Sequence, residues 1–322
     1  MKNRRIDVRN LFFYGGDGLR LSGELYVPEC PAGDTSAMPA ILLCQGLSGE
    51  KGKVLPWIAD AFASSGYVTL AFDYGGCGQS GDRRSRPYVF PQERVEDALS
   101  AFACMSQLSC VDPDSIGVYG ISYGGAVAVY TAAYERRVKC LVVVSGPANG
   151  DDFLASLMEK SEWERLLREI EDDRARRAQG VKSKLMPLKE IIRFPASFWA
   201  RYALLDSGKE SESLPTETCQ GQEPLLSLES AEAMMRLLPE TVIPRVAQKP
   251  MLFVHGEKDD VARMELARRL YEKGGRPKDF VVLPGMDHID LDTGEGLKKQ
   301  VALSIRWFDR HLKPGGAGND GH

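Results

Sequence analysis

The sequence predicts an α/β fold, a mostly parallel central sheet with helices on both faces, interrupted by a helical insertion. Three observations predict it. Short, continuously apolar runs alternate with helical segments along most of the chain, as in βαβ units whose strands are covered on both sides. The rhythm stops at residue 148 and returns at 248, and the stretch between has helical periodicity with few strand signals. The length, 322 residues, allows two domains or one large domain with an insertion at roughly 150 residues per domain. Because the same rhythm resumes after the gap, the second choice holds. Residues 1–147 and 248–322 then form one core, with 313–322 a disordered tail, and residues 148–247 form an insertion that does not fold alone.

Taken in order, residues 11–14 and 19–27 are strands around the turn Gly15-Gly16-Asp17-Gly18. The second alternates apolar and polar residues, as a half-buried strand does, and Pro28 and Pro31 end it. Residues 40–44, 67–72, 115–120 and 138–144 are short apolar runs that read as buried strands. Helices are expected near 54–65, over 93–108 with Val95, Ala98, Leu99, Phe102 and Met105 on one face, and over the small-residue run 124–134. In the insertion, residues 154–174 read as one strong helix with a Glu164–Arg168 pair. Residues 187–205 are rich in aromatic side chains, 207–223 form a polar loop and 228–237 another helix. Strands return at 250–255 and 279–283, with helices near 262–273 and 296–312.

Composition narrows the function. With 43% hydrophobic and 27% charged residues the chain is an ordinary globular one, not a disordered or fibrous one. A formal charge of −4 disfavours nucleic acid as a partner. No run of about 18 apolar residues is present, so no membrane partner is expected. The N-terminus lacks a signal-like apolar run, and the seven cysteines are odd in number with no CxxC pair. A reducing, cytoplasmic setting is therefore expected, with no metal and no cofactor.

The sharpest motif is Gly120-Ile121-Ser122-Tyr123-Gly124-Gly125, a G-x-S-x-G between a strand and a small-residue helix. Such a turn holds a nucleophile on strained backbone, and its neighbours two residues away must be small. A serine hydroxyl is a weak nucleophile that needs a base, and the base needs an orienting acid. Of four histidines, His322 lies in the tail, His311 in the last helix, and His255 closes an apolar strand. His288 follows a strand on a loop and is the candidate base. Asp259, on the stretch His255-Gly256-Glu257-Lys258-Asp259-Asp260, is the candidate acid. Asp260 is its rival, with Asp151 and Asp152 further alternatives. An oxyanion hole needs two backbone N–H groups, expected from Tyr123 and from Leu47 in the loop Gln45-Gly46-Leu47-Ser48-Gly49.

From about residue 8 to 312 the chain resembles the α/β-hydrolase superfamily. It is most similar to the branch containing dienelactone-hydrolase-like, prolyl-oligopeptidase-like and cocaine-esterase-like enzymes. The pieces that carry the likeness are the turn at Asp17-Gly18, Gln45-Gly46-Leu47, Asp73-Tyr74-Gly75-Gly76-Cys77-Gly78-Gln79-Ser80-Gly81, residues 120–125, 255–259 and 285–288. The order Ser122, Asp259, His288 is the one this superfamily uses. Gln45 stands where many relatives have histidine, and Gly75 stands where an arginine is common. The resemblance also makes residues 148–247 a cap over the nucleophile, with Trp163, Phe194, Phe198, Trp199 and Tyr202 as candidate pocket residues and a homodimer contact as a further option. Arg83, Arg84 and Arg86 read as solvated surface or as contacts for an anionic substrate. Two other phosphate-binding readings are weak. No GxxxxGK[ST] occurs, and the G-x-G-x-x-G at 76–81 would leave the later Asp259 and His288 as coincidence. The expectation is a serine hydrolase acting on a small-molecule carboxylic ester, thioester or lactone. Amide cleavage, C–C bond hydrolysis and acyl transfer are the alternatives, and a non-catalytic binding protein is the outsider.

Overall fold

A computed structural model describes residues 5–29, 36–52, 54–84, 88–199, 201 and 225–313. The elements in chain order are β1 (Ile6–Tyr14), β2 (Arg20–Pro28), β3 (Met38–Cys44), α1 (Leu55–Ser64), β4 (Val68–Asp73), α2 (Pro91–Met105), β5 (Val111–Ile121), α3 (Tyr123–Tyr134) and β6 (Val138–Val144). The insertion carries α4 (Gly150–Ser156), α5 (Lys160–Arg177), β7 (Leu185–Pro187), α6 (Leu188–Ile191), β8 (Leu225–Ser227), α7 (Leu228–Met235) and α8 (Pro239–Val242). The chain then returns through β9 (Met251–Gly256), α9 (Met264–Lys273), β10 (Lys278–Leu283) and α10 (Gly294–Leu312).

Eight strands form one sheet in the order β1-β2-β4-β3-β5-β6-β9-β10. β2 runs antiparallel to both β1 and β4, and the pairs from β4 to β10 are parallel. Alternate residues of one strand serve two cores. Ala40, Leu42 and Cys44 of β3 face the side covered by α2 and α3. Ile41 and Leu43 face the side covered by α1 and α10. The sequence reading of β2 as half-buried is corrected: Leu21, Ser22, Leu25, Tyr26 and Val27 are all buried. Its two neighbouring strands and the helices packed on it leave only Arg20 exposed and Glu24 half-buried, and its polar Ser22 is satisfied by the Ser80 hydroxyl and the Gln79 amide oxygen.

The predicted single helix over 154–174 is two helices. Asn149 Oδ1 accepts from the Asp151 and Asp152 N–H groups and starts α4. Glu159 starts α5, its N–H donating to the Glu162 carboxylate at 3.2 Å. Glu164 lies 3.9 Å from Lys160, not paired with Arg168. Residues of α4 to α7 pack a third apolar cluster that includes Tyr123 and Ala126 of α3, Val261, and Ile289. The insertion's core is thus continuous with the end of the sheet where Ser122 stands, which is why it has no closed core of its own. Tyr202, the polar stretch 207–223, Arg86, His322 and the tail from 314 lie outside the described residues.

Candidate active site

Ser122 joins β5 to α3 at φ 52° and ψ −130°. A side-chain-bearing residue there costs of order 1–3 kcal/mol, so its surroundings must hold it. Its N–H donates to Val144 O at 2.8 Å, and its own carbonyl accepts from Gly125 N–H at 2.9 Å. Both motif glycines are required by contact. A Cβ on Gly120 would meet the Gly124 carbonyl and lie 2.6 Å from Ala128 Cβ. A Cβ on Gly124 would be driven into the Cys44 carbonyl and to 2.5 Å from Gln45 O.

The Ser122 Oγ lies 2.9 Å from His288 Nε2. On the other side of the ring, His288 Nδ1 lies 2.8 Å from Asp259 Oδ2. Asp259 Oδ1 accepts from the Val261 and Ala262 N–H groups at 3.0 and 2.8 Å. Three loops at the carboxyl ends of β5, β9 and β10 thus meet at one point. Burial alone would lower the basicity of the His288 ring, but the Asp259 carboxylate beside it wins and holds it above its ordinary value. Burial works to raise the Asp259 carboxyl, and His288, His255 and the backbone N–H groups hold it below its ordinary value. A hydroxyl, a ring and an anchored carboxylate in this series can take a proton from the serine and stabilise the resulting cation.

The other sequence candidates sit elsewhere. Asp260 is exposed and makes no hydrogen bond to the ring. Asp151 and Asp152 open α4, and Asp152 pairs with Arg269. His255 is buried and lies 2.7 Å from Ala262 O through Nε2, so it fixes the turn that presents Asp259. The glycine-rich turn at 76–81 is not followed by a helix; its Gln79 N–H and the Lys51 N–H and ammonium wrap the buried Asp73 carboxylate. Arg83 is neither solvated surface nor a free anion contact, because it bridges Asp17 and Asp97. A side chain at Gly75 would collide with its guanidinium. Arg84 pairs with Glu93 and lies over the Phe90 ring.

The loop after β3 borders Ser122. A Cβ on Gly46 would lie 3.4 Å from Ser122 Cβ, and Gln45 Oε1 accepts from Gly46 N–H at 3.0 Å. Among the described residues neither the Leu47 nor the Tyr123 N–H has a hydrogen-bond acceptor. Arg94 of α2 is buried, and its guanidinium donates to Gly46 O at 3.2 Å and Leu47 O at 2.9 Å. It also lies 5.1 Å over the Tyr74 ring. Sequence reasoning missed Arg94, although its spacing to Ala98 and Ala101 places it on the buried stripe of α2.

A cavity of about 60 Å³ opens beside Ser122, lined by Gln45, Leu47, Val54, Phe194, Phe198, His288 and Asp292 among others. Of the predicted pocket aromatics, Phe194 and Phe198 line it. Trp199 does not; it packs against both rings with centroids 5.5 Å away. Trp163 packs on the insertion's own cluster, because α5 turns its apolar face toward α7. A larger groove of about 570 Å³ lies against β1 and the start of β5, at the opposite ends of the strands from Ser122. Across the mouth of the site, Arg201 pairs with Asp287 and Asp290, which flank His288.

The chain belongs to the alpha/beta hydrolase fold family, whose model matches residues 39–295. It is 26% identical over 293 residues to a protein named thiohydrolase aneE from Aspergillus aculeatus, covering 90% of this chain and 89% of that one. It is 26% identical over 291 residues to a protein named acyltransferase drtE from Aspergillus calidoustus, covering 89% of each. The crystal structure of a hypothetical protein, PA2218 of Pseudomonas aeruginosa, superposes with a TM-score of 0.76 at 25% identity, covering 95% of this chain and 94% of that one. No described helix is long and apolar enough to cross a membrane.

Proposed function

We propose that this protein is a serine hydrolase that cleaves a carboxylic ester, thioester or lactone through an acyl-enzyme on Ser122. The observation that carries this reading is the unbroken series Ser122 Oγ, His288, Asp259, with contacts of 2.9 and 2.8 Å. His288 Nε2 takes the Ser122 proton as Oγ attacks the carbonyl carbon. The carbonyl oxygen becomes an oxyanion held by the Leu47 and Tyr123 N–H groups. Collapse expels the alkoxide or thiolate, which receives the proton from His288. Water then repeats the attack, giving its proton to His288, and Ser122 leaves with that proton. Residues 148–247 act as the cap that closes the pocket, with Phe194 and Phe198 as its acyl-facing wall.

Acyl transfer to an acceptor other than water is the second reading, favoured by the relative named acyltransferase. It uses the same acyl-enzyme and differs only in what attacks second. Ser122→Ala abolishes hydrolysis of aryl esters and thioesters, and a fluorophosphonate labels Ser122 of the native protein. Activity of more than a few per cent in the Ala variant, or an unlabelled Ser122, refutes the acyl-enzyme.

A further inference from the structure

Among the described residues, three that carry side chains adopt left-handed backbone: Ser122, Gln248 and Ser145, the last at φ 47°. Gln248 is exposed in the loop before β9, and the strain at Ser122 belongs to the nucleophile's turn. Ser145 directly follows β6 and is only 2% exposed. Its Oγ is buried and has no hydrogen-bond partner among the described residues. Glycine at 145 would relieve both costs, since it accepts this φ freely and carries no hydroxyl. β6 lies between β5, which leads to Ser122, and β9, which leads to Asp259. In register, Ile121 pairs with Val144 and Val144 with Val254, so Ser145 stands level with Ser122 on one side and His255 on the other. One peptide joins the two sides: the Val144 carbonyl accepts from Ser122 N–H at 2.8 Å, and Ser145 N–H donates to Val254 O at 2.9 Å. The chain then passes against α3, where a Cβ on Gly146 would lie 3.2 Å from Gly125 Cα.

The imidazole of His288 meets Ser122 through Nε2 and Asp259 through Nδ1. Its Cε1 lies between those nitrogens, so that edge of the ring faces the gap between the nucleophile turn and the acid loop. The strand that ends in this gap is β6. We propose that Ser145 is a positioning residue of the triad, whose hydroxyl oxygen turns to the Cε1 edge of His288 when the ring takes the Ser122 proton, and so stabilises the ring cation. This rests on the reading of Ser122 as the nucleophile. The hydroxyl keeps its own proton; the one proton that moves passes from Ser122 Oγ to His288 Nε2. In the neutral ring the C–H edge is weakly polar, and a hydroxyl gains little from it. In the cation that edge carries positive charge, and a hydroxyl held ready in a buried site acts on it strongly. The other charged groups around the ring are Asp259, Asp260 and Asp292, with His255 3.8 Å from Asp259 and with Asp287 and Asp290 paired to Arg201. Those acids all come from the loops after β9 and β10, so Ser145 is what the end of β6 contributes.

The test compares native protein with Ser145→Ala and Ser145→Gly on the aryl ester or thioester that the native protein cleaves fastest. Each variant is expected to lower kcat roughly five- to tenfold at a pH above the acidic limb, with KM within about twofold. Each is also expected to move that limb down by about half to one pH unit, because the ring cation has lost a stabilising dipole. The urea midpoint holds or rises in both, since a buried hydroxyl without a partner is removed and, in the Gly variant, the backbone strain as well. The proposal is overturned if kcat stays within about twofold of native, or if the acidic limb does not move. A fall in the urea midpoint of both variants overturns it too, by showing that the hydroxyl already has a partner in the resting protein. Ser145→Gly decides alone if the Ala variant fails to fold, since glycine accepts a φ of 47°. A native protein labelled at Ser122 by a fluorophosphonate, whose variants keep rate and limb, loses only the Ser145 assignment. An unlabelled, inert native protein loses the nucleophile as well.

Discussion

Arg94→Met tests how the loop proposed to supply the Leu47 oxyanion donor is held. The native guanidinium sits 5% exposed between α2 and the loop after β3, donating to two successive carbonyls at 3.2 and 2.9 Å. Each hydrogen bond from a charged donor is worth about 1.5–3 kcal/mol, and the ring contact with Tyr74 adds of order 1 kcal/mol. Methionine fills much of the same volume but leaves both carbonyls unpaired, so a loss of about 3–5 kcal/mol in urea unfolding is expected. The kinetic effect has a separate origin. Removing one oxyanion donor outright costs about 10²–10³ in kcat, and Arg94→Met loosens the Leu47 peptide without deleting its N–H. The fall in kcat is therefore expected to be roughly 10- to 100-fold, with a smaller change in KM, since the donor acts mainly on the transition state. Arg94→Lys restores charge at one point but not the two-pronged grip, and recovers only part of the rate. A Met variant with kcat within twofold of native, at a temperature where it is fully folded, refutes the link between Arg94 and the oxyanion loop.

Asp259→Asn is expected to lower kcat by up to about 10⁴ by releasing the ring's tautomer, whereas Asp260→Asn stays within a few-fold in the same ester assay. Because Asp259 holds the ring above its ordinary value of 6.5, the acidic limb of the native kcat/KM profile lies above pH 6.5. Activity is present above that limb and falls as His288 takes up a proton; whatever activity Asp259→Asn retains shows the limb moved to lower pH. Gly124→Ala places a Cβ 2.5 Å from Gln45 O, where only backbone can yield, so it is expected to cost about 1–3 kcal/mol in urea unfolding and to slow fluorophosphonate labelling. Lys51→Met leaves the buried Asp73 carboxylate without its 2.6 Å cation and is expected to cost about 3–5 kcal/mol by the same measurement.

The parts of the site that were legible in the sequence share a physical trait: each is set by local backbone sterics or by chain order. Gly120 and Gly124 are required by contacts within and beside one turn, so the serine they flank announces itself. His288 stands out because it is the one histidine on a loop directly after a strand, and Asp259 because its loop closes β9. The choice between Asp259 and Asp260 had no local answer. It depends on the direction the turn takes, which His255 fixes through Ala262 O from the end of β9. The long helix expected over 154–174 failed for a related reason: apolar periodicity runs across Glu159, but the local N-terminal hydrogen bond to Glu162 starts a new helix there.

Arg94 and Asp292 were invisible for opposite reasons, and the contrast bears on where polar residues inform. Arg94 lies on the buried stripe of an amphipathic helix, so its polarity contradicts its position, and that contradiction is a signal in the sequence alone. Its partners, however, are backbone carbonyls of a loop 47 residues away, which no side-chain pattern reveals. Asp292 follows Asp287 and Asp290 in a run that reads as solvated turn, and two of the three are indeed tied to Arg201. Only tertiary packing separates the third, which lines the cavity beside Ser122 and makes no ion pair with a lysine or arginine among the described residues. The acidic residues around His288 thus divide by geometry: Asp287 and Asp290 pair with Arg201 of the insertion, and Asp292 lines the cavity beside Ser122.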